Sequence, residues 1–232
     1  MAPSPRLIAI DTFGTLTDWY TGVSEALESL FPSVDASDLT LEWRSAYSPA
    51  LADVESGHKQ WALLDQLHGD SLLDILERRY DVSPSEEQLT KAVEAWHRIP
   101  AWPDVVEGVT LLRRMCPVAA LSNANVAFLT DIARFNRLEW DFPGGADVWG
   151  HYKPSPETYL GIAKMFQCDP SEVLMVATHQ EDLDAARVNG LQTAYIERPR
   201  EYGPLPKAEA VDENNTYHAT DLLDLVAQLE KL

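Results

Sequence analysis

Three observations predict an α/β fold, a parallel-sheet core with an inserted helical cap. From residue 104 onward, short apolar runs alternate with helix-spaced segments, the order that builds a parallel sheet covered on both faces. A further apolar run, Leu7, Ile8, Ala9 and Ile10, stands alone near the N-terminus and belongs with that sheet. Between them, residues 19–103 carry apolar side chains at three- and four-residue spacing, with no strand signal. The expected division is residues 1–18 with 104–232 as the core, and 19–103 as the cap.

Residues 7–10 read as a buried strand, closed by Asp11 and a turn at Gly14 and Thr15. The helical stretches "TGVSEALESLF", "DLTLEWRSAYSPALADV", "KQWALLDQLHG", "SLLDILERRY" and "SEEQLTKAVEAWHRI" follow. Ser85 ahead of Glu86 and Glu87 marks a helix start, and the prolines of "IPAWPD" close the block. In "DVVEGVTLLRRM", Asp104 and Glu107 are placed to cap the helix. "VAALSNA" is a strand ending in polar residues. Pro156 then opens the helix "SPETYLGIAKMF", since proline suits a first helical turn. "VLMVATH" is the next strand, "DLDAARVNG" a helix stopped by Gly190, and "QTAYIE" a fourth strand. "PREYGPLPKAEAVDENN", rich in proline and charge, reads as a partly mobile loop before the amphipathic helix "DLLDLVAQLEKL".

The 232 residues are 45% hydrophobic and 24% charged, a composition that buries a core. Asp and Glu number 37 against 18 Lys and Arg, for a net charge of -19. Such a field repels phosphate backbones and anionic membranes. Nucleic-acid and membrane partners are therefore not expected, and an anionic substrate would need local cations. No apolar run approaches the ~20 residues of a membrane span, and "MAPSPR" leads into the first strand without a long apolar stretch. The expected location is cytoplasmic. Cys116 and Cys168 lack metal-ligand spacing and read as two buried free thiols in a reducing compartment.

Four polar signals fall at or just beyond strand ends: Asp11, Ser122 with Asn123, Lys153 with Pro154, and His179 with Asp182. In a parallel sheet all strand carboxyl ends open on one edge, where ligands bind. Residues far apart in sequence can therefore converge there. Singly, each has an ordinary explanation: an aspartate caps a helix, a Lys-Pro pair makes a loop. Their succession at strand ends points to a site.

The stretches "DTFGTLTD", "LSNAN", "YKPSPETY" and "VATHQEDLDAARVNGLQTAYIERPREYG" resemble the four motifs of the haloacid dehalogenase superfamily. With "WRSAY" and "AWHRIPAWPDVVEGVTLL", the likeness is to its L-2-haloacid dehalogenase (type II) branch, over almost the whole chain. The resemblance implies a Rossmann-like core with a helical cap, and hydrolytic dehalogenation of short L-2-haloacids to 2-hydroxy acids. By that resemblance Asp11 is the nucleophile, forming a covalent ester, with Lys153 beside it. Asp182 would orient the lysine and the hydrolytic water. Thr15, Ser122 and the turn amides would bind the substrate carboxylate. Arg44 would receive the halide with Asn123 as its partner, and Tyr159 would line the pocket. Arg44 also reads as a solvated helix charge, and Tyr159 as a core aromatic.

The superfamily's phosphatases carry a second aspartate two positions after the nucleophile, as general acid and Mg²⁺ ligand. Phe13 stands there in this chain, and it can neither ligate a hard cation nor donate a proton. No metal and no cofactor is expected. His179, Ala177 and Glu181 depart from the asparagine, serine and aromatic or apolar residue of better-studied relatives. His179 reads equally as a general base, its unperturbed pKa being about 6.5, or as structural. Two other functions stay open: a halide-independent hydrolase or pathway enzyme acting on a larger carboxylate or ester, and a binding protein with a relic site. Joint retention of Asp11, Ser122, Lys153 and Asp182 argues against the relic. The expected partner is a small-molecule carboxylate. Relatives with this fold often dimerise, which leaves a homodimer open.

Overall fold

The computed structural model describes residues 4–207 and 210–231. Its sheet is built from β1 (Leu7–Ile10), β2 (Val118–Leu121), β3 (Phe142–Gly144), β4 (Val173–Ala177), β5 (Gln192–Ile196) and β6 (Tyr217–Ala219). All pairings are parallel, in the order β3-β2-β1-β4-β5-β6. Every residue of β1, β2, β4 and β5 is buried, as the unbroken apolar runs of β1, β2 and β4 require; β5 also buries Gln192 and Thr193.

Five helices lie between β1 and the rest of the core: α1 (Trp19–Leu30), α2 (Ala36–Ser45), α3 (Tyr47–Glu55), α4 (Leu64–Tyr80) and α5 (Glu86–Trp96). They form the cap, around an aromatic centre in which Trp19 stacks on Trp96 at 6.2 Å and Trp43 meets Trp96 edge-on at 5.5 Å. The start of α5 is a capping box: Ser85 Oγ accepts from Gln88 N, and the Gln88 side chain accepts from Ser85 N.

The core adds α6 (Val105–Leu112), α7 (Val126–Asn136), α8 (Ala146–Trp149), α9 (Pro156–Met165), α10 (Gln180–Val188) and α11 (Leu222–Leu229). Successive strand residues point to opposite faces. Ile8 and Ile10 therefore pack with Val105 and Val109 of α6 and Leu222 and Leu225 of α11. Leu7 and Ala9 pack with Tyr159 and Ile162 of α9 and Leu183 of α10.

The structure departs from the sequence expectations at several points. Strands β3 and β6 were not expected: each has three residues, and "FPG" and "YHA" offer no apolar run. Helix α6 ends at Leu112, and Asp104 makes no side-chain cap. Its carboxylate instead takes the Arg198 guanidinium at 2.8 and 2.7 Å and the Leu222 N–H at 2.9 Å, tying the segment after β5 to α6 and α11. Cys116 and Cys168 are free but only half-buried. The loop after β5 also carries a fully buried Glu201 and a Lys207 whose side chain is 7% exposed, while residues 204–206 are exposed; residues 208–209 lie outside the described residues. Among the described residues, no helix is long and apolar enough to cross a membrane.

Candidate active site

Asp11 follows directly on β1, its N–H donating to the Val176 carbonyl of β4 at 2.9 Å. Gly14, at φ +81°, turns the chain back, and Trp102 Nε1 donates to its carbonyl at 2.8 Å. This turn brings Thr15 under the aspartate: its hydroxyl donates to Asp11 Oδ2 at 2.8 Å and accepts from Thr178 N at 2.9 Å.

Lys153 approaches from the loop before α9, where its backbone N–H donates to Asn123 Oδ1 at 2.7 Å. Its ammonium donates to Asp11 Oδ1 at 2.8 Å and, by a very short contact, to Asp182 Oδ2. Tyr159 completes the row, donating to Asp182 Oδ1 at 2.7 Å. The side chains of Asp11, Lys153 and Asp182 are each 8% exposed. Burial pushes the Asp11 carboxyl up, but Lys153 and then His179 outweigh it and hold the group well below the usual carboxylate range. Burial works against the Lys153 charge, yet the two carboxylates lift it above its ordinary value. Asp182 is shifted upward by burial, which its one cation only partly offsets. Asp11 is the group held ionised.

His179 lies between two carboxylates. Its Nδ1 is 3.8 Å from Asp11 Oδ2, and its Nε2 is 2.7 Å from Glu201 Oε1. Burial disfavours the imidazolium, but Glu201 and Asp11 outweigh it and push the pKa up to about 9. With Asp11 ionised, His179 is therefore an acid at neutral pH, which removes the lone pair a general base needs. Glu201 is held down to about 2 despite burial, by His179 and Lys207. Trp19 Nε1 donates to Glu201 Oε1 at 3.2 Å, and Lys207 Nζ pairs with Oε2 at 3.0 Å.

These groups open into a cavity of about 720 Å³ between sheet edge and cap. Asp11, Asn123, Lys153, Tyr159, His179 and Asp182 line its core side, and Arg44, Tyr47 and Leu51 its cap side. Phe13 forms an apolar wall, with its ring edge-on to Phe128, Trp96 and Tyr47 at 5.3, 5.7 and 6.4 Å. Arg44 lies 4.3 Å from the Tyr47 ring and 5.5 Å from that of Trp19, a placement that favours its cation. Its buried Nε makes no hydrogen bond among the described residues, and none there joins Arg44 to Asn123. Thr15 and Ser122 are buried and absent from the described wall. Thr15 holds Asp11, and Ser122 Oγ accepts from Ala124 N at 3.2 Å. Among the described residues, no three His, Cys, Asp or Glu side chains are grouped to hold a metal ion.

The family model described as haloacid dehalogenase-like hydrolase matches residues 5–190. The chain belongs to that family. Two crystal structures of L-2-haloacid dehalogenases, one of them a defluorinating enzyme, superpose with a TM-score of 0.92 each. They are 41% and 36% identical, cover 97% of this chain in both cases, and are themselves covered to 100% and 95%. Among curated proteins, a phosphoglycolate phosphatase of Nitrosospira multiformis is 26% identical over 80% of each chain. The (S)-2-haloacid dehalogenase of Xanthobacter autotrophicus is 24% identical over 83% of this chain and 75% of its own. In this haloacid dehalogenase-like hydrolase Phe13 departs from the carboxylate of the superfamily's phosphatase pattern.

Sequence reading missed Glu201, Lys207, Trp19 and Tyr47. The available signal for the first two was position: "PREYGPLPK" leaves the carboxyl end of a parallel strand, the edge where ligands bind.

Proposed function

We propose that this haloacid dehalogenase-like hydrolase removes halide from short L-2-haloacids by way of an Asp11 ester, giving 2-hydroxy acids inverted at C2. The supporting observation is the bridge from Asp11 through Lys153 to Asp182 beside the apolar Phe13. Lys153 keeps Asp11 ionised, so a carboxylate oxygen attacks C2 and halide departs with the bonding pair. Arg44, whose charge faces the cavity from the cap, offsets the leaving anion. A halide needs no proton, so an apolar residue at position 13 suffices. Water then attacks the ester carbonyl, splitting one difficult displacement into two easier steps. The reaction on this reading is metal-independent, and the two free thiols suit a reducing, cytoplasmic setting.

The cavity volume favours a second reading. At about 720 Å³ it falls in the upper half of the roughly 300–1,000 Å³ typical of ligand pockets. That is ample for a larger carboxylate or ester handled without halide loss. Halide release across 2-fluoro, 2-chloro and 2-bromo acids of both hands, with short and long chains, tests the two. Release from short L-acids supports the dehalogenase. No halide from any acid, with turnover of a larger ester, supports the alternative.

A further inference from the structure

Glu201 carries a buried charge that the proposed chemistry leaves without a task. It is fully buried, yet three groups converge on it: the Trp19 indole at the first residue of the cap, His179, and Lys207 from its own loop. It also fits against the motif turn, since a Cβ on Gly14 would lie 2.3 Å from Glu201 Oε1. Burying a carboxylate costs several kcal/mol unless it is paired and hydrogen-bonded. This pairing aims one partner, His179, at Asp11.

The two oxygens of Asp11 differ in surroundings. Oδ1 accepts one hydrogen bond among the described residues, from Lys153. Oδ2 is held by Thr15, which is buried behind it, and faces His179 Nδ1. Oδ1 is thus the oxygen placed to attack C2, and Oδ2 becomes the carbonyl oxygen of the ester. When water adds to Cγ, the carbonyl π pair moves onto Oδ2 and one negative charge returns to where the free carboxylate held it. A site arranged to hold the Asp11 anion is thereby arranged to hold this oxyanion.

We propose that Glu201 is a positioning residue that holds His179 against Oδ2, where His179 is the oxyanion donor of the hydrolytic half-reaction; the assignment rests on the dehalogenase reading. Water's oxygen bonds to Cγ and its proton passes to Asp182. The Cγ–Oδ1 bond then breaks, Oδ1 leaves with C2, Asp182 returns the proton to it as the product hydroxyl, and the second water proton leaves the re-formed Asp11 carboxyl for solvent. His179 donates a hydrogen bond throughout and transfers no proton. The 3.8 Å separation is long for that bond, as such contacts commonly are before the reacting species is present.

His179 faces Asp11 just after β1 and Glu201 in the loop after β5; Lys153 pairs with that Asp11 and Lys207 with that Glu201, and Arg44 of α2 lines the same cavity. Asp182 and Glu181 belong to its own helix. Esterification neutralises Asp11 but leaves Glu201, the largest influence favouring the imidazolium. Hydrolysis should therefore fail on the alkaline side, where His179 loses its proton, and not on the acid side.

The test is Glu201→Gln, followed by rapid-quench halide release, by intact mass for the aspartyl ester, and by the pH profile of ester breakdown. Ester breakdown should slow by about 10²-fold, the cost of removing one oxyanion donor, while the halide burst slows far less. A mass gain equal to the carboxyalkyl group, the substrate without its halogen, should then accumulate. The alkaline limb should move acidward by at least one pH unit, and Glu201→Asp should restore part of that shift. If Glu201→Gln does not fold, His179→Gln carries the test: ester accumulates and the alkaline limb disappears. Ester breakdown within threefold of wild type with an unmoved limb would overturn the assignment, as would a shift confined to the acid limb, the mark of a general base. Absence of any halide release by the wild type would instead overturn the dehalogenase reading.

Discussion

Lys153→Met removes one charge of a buried triad while keeping most of the side-chain volume. Asp11 and Asp182, each 8% exposed and both bonded to the Lys153 ammonium, would then face each other without a shared cation. Breaking a buried ion pair by deleting one partner costs about 3–5 kcal/mol. For a chain of this size each kcal/mol lowers Tm by roughly 2–4 °C, so the expected fall is roughly 6–20 °C. The pH dependence has a definite sign. Asp11 is depressed in the fold, so its contribution is present above the unfolded carboxylate pKa of about 3.9 and is lost as pH falls through the folded value. Lys153 is raised, so its contribution is present below about pH 10.4 and is lost as pH rises through the folded value. Asp182, raised by burial, works the other way and moderates the total. The deficit of the variant should be widest between about pH 5 and 9 and should begin to shrink near pH 3, where the unfolded carboxylates take up protons while Asp11 in the fold is still ionised. Thermal unfolding followed by circular dichroism at pH 3, 5, 7 and 9 measures it, with halide release as the companion assay. A Tm within 2 °C of wild type at pH 7, with turnover above a tenth of wild type, would refute the reasoning.

Exhaustive EDTA treatment should leave turnover unchanged, with no gain on adding Mg²⁺; a strict Mg²⁺ requirement with hydrolysis of a phosphomonoester would contradict the role given to Phe13. Arg44→Ala should lower turnover by about 10²–10³-fold, the scale of losing one charge-stabilising group. Its Tm should drop only a few degrees, because the side chain contributes ring contacts of roughly 0.5–2 kcal/mol; undiminished halide release would mean the anion leaves by another route. In a single turnover in ¹⁸O-water, label should enter the Asp11 side chain and the first product should carry unlabelled oxygen. Label in that first product, with none in the Asp11 peptide, would make Asp11 a base rather than the nucleophile.

The fold was legible wherever an apolar run was long enough to declare itself. β1, β2 and β4 are such runs, β5 ends in one, and the cap helices repeat their apolar spacing over several turns. β3 and β6 could not be read, because edge strands of three residues are set by their neighbours' hydrogen bonds and not by their own composition. At the site, Asp11, Lys153, Tyr159, His179 and Asp182 were named from the sequence, and the fold brings them together. Thr15 and Ser122 were expected to meet substrate but turn inward, since a hydroxyl in a tight turn satisfies nearby polar atoms first. Glu201 and Lys207 were hidden for a different reason. Charge in a proline-rich stretch normally signals solvent, and burial of both depends on partners at Trp19, Thr178 and His179 that local sequence does not encode.

The position of Asp11 in the chain also bears on how the molecule is made. β1 is central in the sheet, but its neighbours β2 and β4 are synthesised much later. The cap helices between them pack on one another and are complete before β2 is made, so they can assemble while Asp11 is still in water. Lys153, 142 residues from Asp11, precedes β4, the strand whose carbonyl at Val176 finally seals the aspartate's backbone. The counter-ion therefore leaves the ribosome before the strand that encloses the carboxylate. Chain order spares the nascent protein a buried anion without its partner.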